Sequence, residues 1–155
     1  MTFDIRCLTK QDLEWLRRLR NESSKNFFTT THITPEDQEH WYHNRPKGDE
    51  RWVIVDGETS VGYFSIESPR ADLPIFPTDL RVRYLNSLLV DPDHRGRGVI
   101  QAARMVFAPG IAYVGYVREG NISSLKACAK LGLEDRGLYQ HPTIGPIHIV
   151  WRPHG

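Results

Sequence analysis

Arg95-Gly96-Arg97-Gly98 closes the stretch LLVDPDHRGRG and opens onto VIQAARMVF, an apolar run at helical spacing. The chemistry open to such a turn is anion binding. A helix N-terminus exposes about four unpaired N–H groups and about half a positive charge. Glycine lets a ligand reach the backbone, and guanidiniums add charge-assisted bonds to phosphate oxygens. The turn thus has the makings of a pyrophosphate cradle. It is not a P-loop, because Val99-Ile100 stand where lysine and serine or threonine are needed, and it lacks the third glycine of a dinucleotide fingerprint.

Such a turn works only if a strand delivers it and a helix leaves it. Residues 80–90 read as that strand and 97–108 as that helix, ended by Pro109-Gly110; residues 111–117 supply another apolar strand, so the unit is a parallel crossover. Upstream, QDLEWLRRLRNE predicts an amphipathic helix begun near Thr9 and Asp12 and ended near Asn21. Thr34-Pro35-Glu36-Asp37 announces a second helix running to about His43. RWVIVDGETSVGYFSIE predicts a hairpin turning at Asp56-Gly57. With three prolines, 68–79 reads as a surface loop with room for a substrate lid. Asn121 caps a further helix that Gly132 closes, and IHIVWR forms a final strand.

At 155 residues, 39% hydrophobic, the chain suits one core, a single domain over 1–155. Lysine plus arginine number 20 against 19 acids, so no overall field draws the protein to nucleic acid or an anionic membrane. A nucleic-acid module built on Arg81, Arg83, Arg95, Arg97 and Arg104 is the reading this balance opposes. No apolar run approaches the roughly 20 residues of a membrane span. The opening MTFDIRCLTK lacks signal-peptide features and only Cys7 and Cys128 are cysteines, which predicts a cytoplasmic protein with reduced thiols.

Val90-Asp91-Pro92-Asp93-His94-Arg95-Gly96-Arg97-Gly98, followed by a helix, resembles motif A (Q/R-x-x-G-x-G/A) of the GNAT N-acetyltransferase family. Asn121-Ile122-Ser123-Ser124 with Lys130-Leu131-Gly132-Leu133 resembles its N-x-x-S…K-x-G-F segment, in the same order. LTKQDLEWLRRLRN and ITPEDQEHWY are similar to the branch of ribosomal-protein N-terminal acetyltransferases and amino-sugar acetyltransferases; the resemblance spans roughly 3–152.

The resemblance implies a mixed α/β fold: a twisted, mostly antiparallel sheet splayed between two parallel strands, with helices on both faces. Acetyl-CoA would be wedged between the strands at 80–90 and 111–117. Leu88, Leu89 and Val90 would border it, the backbones of Leu88 and Val90 holding the acetyl carbonyl and pantetheine. Arg95, Gly96, Arg97, Gly98, Val99 and Ile100 would wrap the pyrophosphate, and Asn121 and Ser124 would touch the pantetheine arm. Expected partners are acetyl-CoA and an amine acceptor, with no nucleic acid as a bulk partner, no membrane and no metal; a homodimer stays open.

Departures from the family pattern concern geometry and catalysis. Ile100 replaces a glycine or alanine, and the segment between Gly98 and Val117 is short, which predicts a helix reduced by more than a turn. Asn86 stands where many relatives have glutamate, and Cys128 where many have tyrosine. Asparagine cannot take a proton but can orient a water; Cys128 could protonate the leaving thiolate, or simply pack beside Leu125. Glu67, at a strand end, is the other candidate base or a solvated charge; Tyr84 and Tyr139 are further proton donors or packing residues.

For the acceptor, Arg20, Asn21 and Trp41 would suit a sugar or nucleotide; the plainer reading is that Trp41 anchors its helix and Arg20 favours a helix C-terminus. His40-x-x-His43 reads as a solvated helix face. The expected activity is acetyl transfer to a primary amine, an amino sugar or nucleotide-linked amino sugar ahead of a protein N-terminus. Orientation would supply most of the acceleration and a water relay would take the amine proton. The rival is a noncatalytic acyl-CoA-binding domain.

Overall fold

The computed structural model describes residues 2–23, 32–74 and 81–153. Turn and cap chemistry sets its elements. Thr9 leads through a 3-10 turn into α1 (Leu13–Glu22), and Thr34 starts α2 (Pro35–His43), its hydroxyl accepting from the Asp37 amide at 3.1 Å. β1 (Asp4–Cys7) pairs with β2 (Glu50–Asp56), which turns at Gly57 (φ 62°) into β3 (Thr59–Glu67). β4 (Arg81–Val90) leads through a 3-10 helix (Val99–Val106) to β5 (Ile111–Arg118). α3 (Ile122–Lys130) begins with the Asn121 side chain accepting from the Ser124 amide, and the β6 (Glu134–His141) and β7 (Gly145–Arg152) hairpin follows.

The seven strands form one sheet of order β1-β2-β3-β4-β5-β7-β6, antiparallel except for the β4–β5 pair. This is the mixed, mostly antiparallel sheet expected, with the crossover in its expected place. Residues 68–74 carry no helix or strand. Residues 75–80, with the last five residues of the expected loop at 68–79 and the first residue of the expected strand, lie outside the described residues, as do 24–31 of the polar stretch after α1.

Alternation sends side chains to two cores. Val61, Phe64, Ile66 and Leu85 pack with Ala103 of the 3-10 helix and with Leu131 and Leu133 beyond α3. On the other face Leu16 and Leu19 of α1 meet Tyr63 and Leu89, and Tyr84, Val114, Tyr116 and Ile147 form a neighbouring cluster. The sheet thus separates α1 and α2 from α3 and the 3-10 helix.

The crossover differs from the helix expected over 97–108: it is shorter and wound as a 3-10 helix. Its eight residues must help carry the chain back from the end of β4 to the start of β5. A 3-10 helix rises about 2.0 Å per residue against about 1.5 Å in an α-helix. Tighter winding lets a short segment cover more distance while Val99, Ile100, Ala102 and Ala103 stay buried.

The turn leading into α1 is pinned to β1 by an ion pair between an exposed Arg6 and a buried Asp12. Arg6 donates two bonds, at 2.8 and 2.7 Å, to the carboxylate of Asp12, which also accepts from the Thr9 amide and hydroxyl. Burial alone would push the Asp12 carboxyl up, but these bonds hold it below the usual range. Its stabilisation is therefore complete above the unfolded carboxylate pKa and is lost as pH falls through the folded one. Asp12→Ala should cost roughly 2 kcal/mol at neutral pH. In urea denaturation at descending pH, the gap between wild type and variant should narrow as pH falls below the ordinary carboxylate range.

Candidate active site

Parallel pairing of β4 with β5 runs only from Arg81↔Ile111 to Tyr84↔Val114. Beyond that β5 pairs only with β7, while β4 stays with β3. A bulge drives the two apart: Tyr63 faces Leu89 and Ser65 faces Asn86, so β4 carries one more residue than β3. Ser87 absorbs the excess at φ 55°, a left-handed conformation rare outside glycine, while its amide donates to Asn86 Oδ1 at 2.8 Å. The gap opens into a cleft of about 580 Å³ that joins the two faces of the sheet.

At one end lies the arginine-glycine turn. Gly96 (φ 77°) and Gly98 (φ 76°) both take the left-handed conformation, where a side chain would be strained. The first amide past Gly98 to close onto the backbone is that of Gln101, donating to Gly98 O at 3.1 Å. Among the described residues the Val99 and Ile100 amides have no protein acceptor. Arg95, Gly96, Gly98, Val99 and Ile100 line the cleft with Leu88, Leu89, Val90, Asn121 and Ser124; Arg97 is exposed outside it. Lys126, Lys130 and His94 also line it, and the buried His94 Nδ1 has no hydrogen-bond partner. The sequence motifs contain His94 and Lys130 without giving either a role at the site, and Lys126 lies one helical turn before Lys130 on the helix that Asn121 caps.

The catalytic candidates fall into a network and an isolated thiol. Glu67 Oε2 accepts from Ser65 Oγ (2.5 Å) and Asn86 Nδ2 (3.1 Å), and Asn86 Oδ1 accepts from Tyr84 OH at 2.9 Å. Asn86 and Tyr84 line the cleft while Glu67 stands half-buried behind them. Burial pushes the Tyr84 phenol up, and the Tyr116 phenol up to about 12; Tyr116 donates to Pro74 O at 2.6 Å. Tyr139 belongs to the C-terminal hairpin and does not line the cleft. Cys128 lines the cleft from α3, but it is 3% exposed and burial pushes its thiol up to about 12.

At the end opposite the turn, the expected acceptor residues divide. Arg20 lines the cleft with Ser23 and Ile33. Asn21 does not: its Nδ2 donates to Ile33 O at 3.0 Å and its Oδ1 accepts from the Ile33 amide at 2.8 Å, tying α1 to the approach to α2. Trp41 stands behind the wall, its ring centre 5.0 Å from Arg20 Cζ and 3.6 Å from Arg51 Cζ. His43 Nε2 faces Glu39 at 3.0 Å, away from any site. No helix among the described residues is long and apolar enough to cross a membrane.

A split parallel pair above a glycine turn defines a class of acyltransferase fold, and comparison with known proteins places the chain within it. The acetyltransferase (GNAT) family profile matches residues 16–132, and the chain belongs to that family, whose members draw their acyl group from acetyl-CoA. An aminoglycoside acetyltransferase in complex with coenzyme A and kanamycin superposes with TM-score 0.81 at 17% identity, over 98% of this chain and 95% of that one. A spermidine N-acetyltransferase from Vibrio cholerae in complex with CoA and spermine gives 0.76 at 14%, over 98% and 95%. An N-acetyltransferase from Staphylococcus aureus Mu50 gives 0.73 at 17%, over 99% of each chain. No curated protein sequence matches.

The two thiols should behave differently. Cys7 is exposed and Cys128 buried. A disulfide reagent should titrate one thiol in the native protein, with Cys128 reacting roughly a hundredfold slower until the chain is unfolded. Rapid native labelling of both would show that the thiol is open to the cleft.

Proposed function

We propose that the protein transfers the acetyl group of acetyl-CoA directly to the primary amine of a small-molecule acceptor, an amino sugar or nucleotide-linked amino sugar ahead of a protein N-terminus. The observation that carries the reading is the run of unpaired Val99 and Ile100 amides behind two left-handed glycines, set at the mouth of a cleft between two parting strands. Such amides, with Arg95, Lys126 and Lys130 around the same cleft, fit a diphosphate. The β4 edge at Leu88–Val90, open on the side that β5 has left, fits the amides of an extended pantetheine arm.

Bound acetyl-CoA supplies a thioester whose acyl carbon is open to a neutral amine. The chain's own residues orient the partners and move one proton. Asn86 holds Glu67 with its amide N–H and keeps its second Nδ2 hydrogen for a water. We assign Glu67 as the base that receives the amine proton through that water. Cys128 suits packing better than proton donation, since a free thiol ionises near about 8.5 and a thiol at about 12 yields its proton only uphill. Water is then the donor to the departing thiolate.

Calorimetry should detect saturable acetyl-CoA binding, and free thiol should appear when an acceptable amine is added. Glu67→Gln should lower kcat about a hundredfold with KM for acetyl-CoA unchanged, and its pH–rate profile should differ from that of the wild type. Coincident profiles would remove Glu67 from the mechanism. Saturable binding with no turnover across an amine panel would favour the noncatalytic acyl-CoA-binding alternative.

A further inference from the structure

Among the described residues the cleft is lined by five cationic side chains and no carboxylate. Arg95, Lys126 and Lys130 accompany the proposed diphosphate site; Arg20 and Arg70 belong to the end that remains for the acceptor. The charge of Arg70 is matched, because its Nε and Nη2 donate to the two oxygens of Asp72 at 2.9 and 2.7 Å.

Arg20 differs. No described carboxylate lies within ion-pair distance of it. Its Nη1 donates to Gln38 Oε1 at 3.1 Å, and that glutamine is itself buried with Nε2 unpartnered. Arg51, 8% exposed, reaches the same Trp41 ring, donates to Trp41 O at 3.1 Å and also lacks a carboxylate partner. Two guanidiniums thus share one indole with no described carboxylate in ion-pair contact. Burial pulls both below the ordinary arginine value; Tyr63 and, from beyond contact, Glu67 pull each back in part, as does Asp49 for Arg51. Removing a cation from water is unfavourable unless an opposite charge meets it; a neutral amide and a π-face offset only part of that cost.

We propose that the acceptor is an anionic amine, a primary amine bearing a carboxylate or phosphate a few bonds away, and that Arg20 holds that anion. The proposal rests on reading the cleft as an acetyl-transfer site. The arrangement serves the chemistry twice. The guanidinium positions the acceptor by its anion, and its field disfavours the ammonium form, leaving more of the amine neutral for attack. A polycation gains nothing here: it meets Arg20 and, among the described residues, no lining acid to receive it.

The test is thiol release across matched acceptors: amino acids against their amides, amino-sugar phosphates and nucleotide-linked amino sugars against the free amino sugars, with a polyamine and an aminoglycoside alongside. At least one anionic member should exceed its neutral partner by tenfold or more in kcat/KM, and the carboxylate and phosphate arms tell the two anions apart. Arg20→Gln should shrink that ratio about tenfold, with Arg20→Lys recovering part of it. Calorimetry with the hydroxyl analogue of the preferred amine, which cannot be acetylated, should show binding that weakens with salt and with Arg20→Gln. Should Arg20→Gln fail to fold, the wild-type ratio and its salt dependence decide alone. Equal use of charged and neutral partners, or a preference for the polycations, overturns the proposal while leaving acetyl transfer intact. Acetyl-CoA binding with no thiol release from any amine overturns both.

Discussion

Past Tyr84 and Val114 the backbones of β4 and β5 stop pairing and move apart, inside a sheet that is otherwise hydrogen-bonded from edge to edge. Interior strand edges are unfavourable to leave empty, because each buried N–H and C=O needs a partner. The chain accepts this because the bulge at Ser87 is over-determined: Asn86 Oδ1 takes the Ser87 amide, Tyr84 OH donates to the same oxygen, and Glu67 and Ser65 meet the other side. One short network therefore keeps the cleft open and places its titratable groups. Without the split, α1 and α2 on one face could not share a cavity with α3 and the 3-10 helix on the other.

The parts of this architecture written in local chemistry were legible from residue types. Asp56-Gly57, Thr34-Pro35, Asn121 and Gly132 act as turn or caps where expected, because each meets a backbone requirement that few residues meet. The lining of the cleft by residues 88–90, 95–96 and 98–100 was legible for the same reason. What escaped depends on partners far along the chain. Nothing local says that Asn21 spends both ends of its amide on Ile33, that two arginines occupy Trp41, or that Glu67 and Asn86, on different strands, face each other. β1 was missed because Asp4–Cys7 is a mostly exposed edge strand without clear alternation. The 3-10 winding was missed because it answers to the distance between strand ends rather than to side-chain preference.

Net charge is the coarsest of these signals. The balance of 20 basic against 19 acidic residues implies a bland surface, yet the charges are sorted. Several acids sit in local pairs such as Asp12 with Arg6, Glu14 with Arg17 and Asp72 with Arg70, while Arg20, Arg95, Lys126 and Lys130 collect around one cavity that no described carboxylate lines. Arg95, Lys126 and Lys130 are exposed, and the half-buried Arg20 is the cation whose charge counts for more than it would in water. A protein without an overall field can thus offer an anionic ligand a site by gathering cations around one cavity.

The same bookkeeping bounds what Asn86 and Cys128 can cost as replacements for the acid-base residues of many relatives. A well-placed general base is worth about 10²–10⁴-fold, some 3–5 kcal/mol. Holding two reactants in register recovers about 7–11 kcal/mol. The split strands and the anion sites keep the larger share whatever stands at positions 86 and 128. Asparagine at 86 also changes its neighbour's circumstances. A carboxylate there would face Glu67 across two paired strands and repel it, whereas the amide donates to Glu67 at 3.1 Å. In the proposed mechanism, moving the carboxylate from β4 to β3 keeps a base on the same face of the sheet, one hydrogen bond further from the reacting amine, and a single water closes that distance.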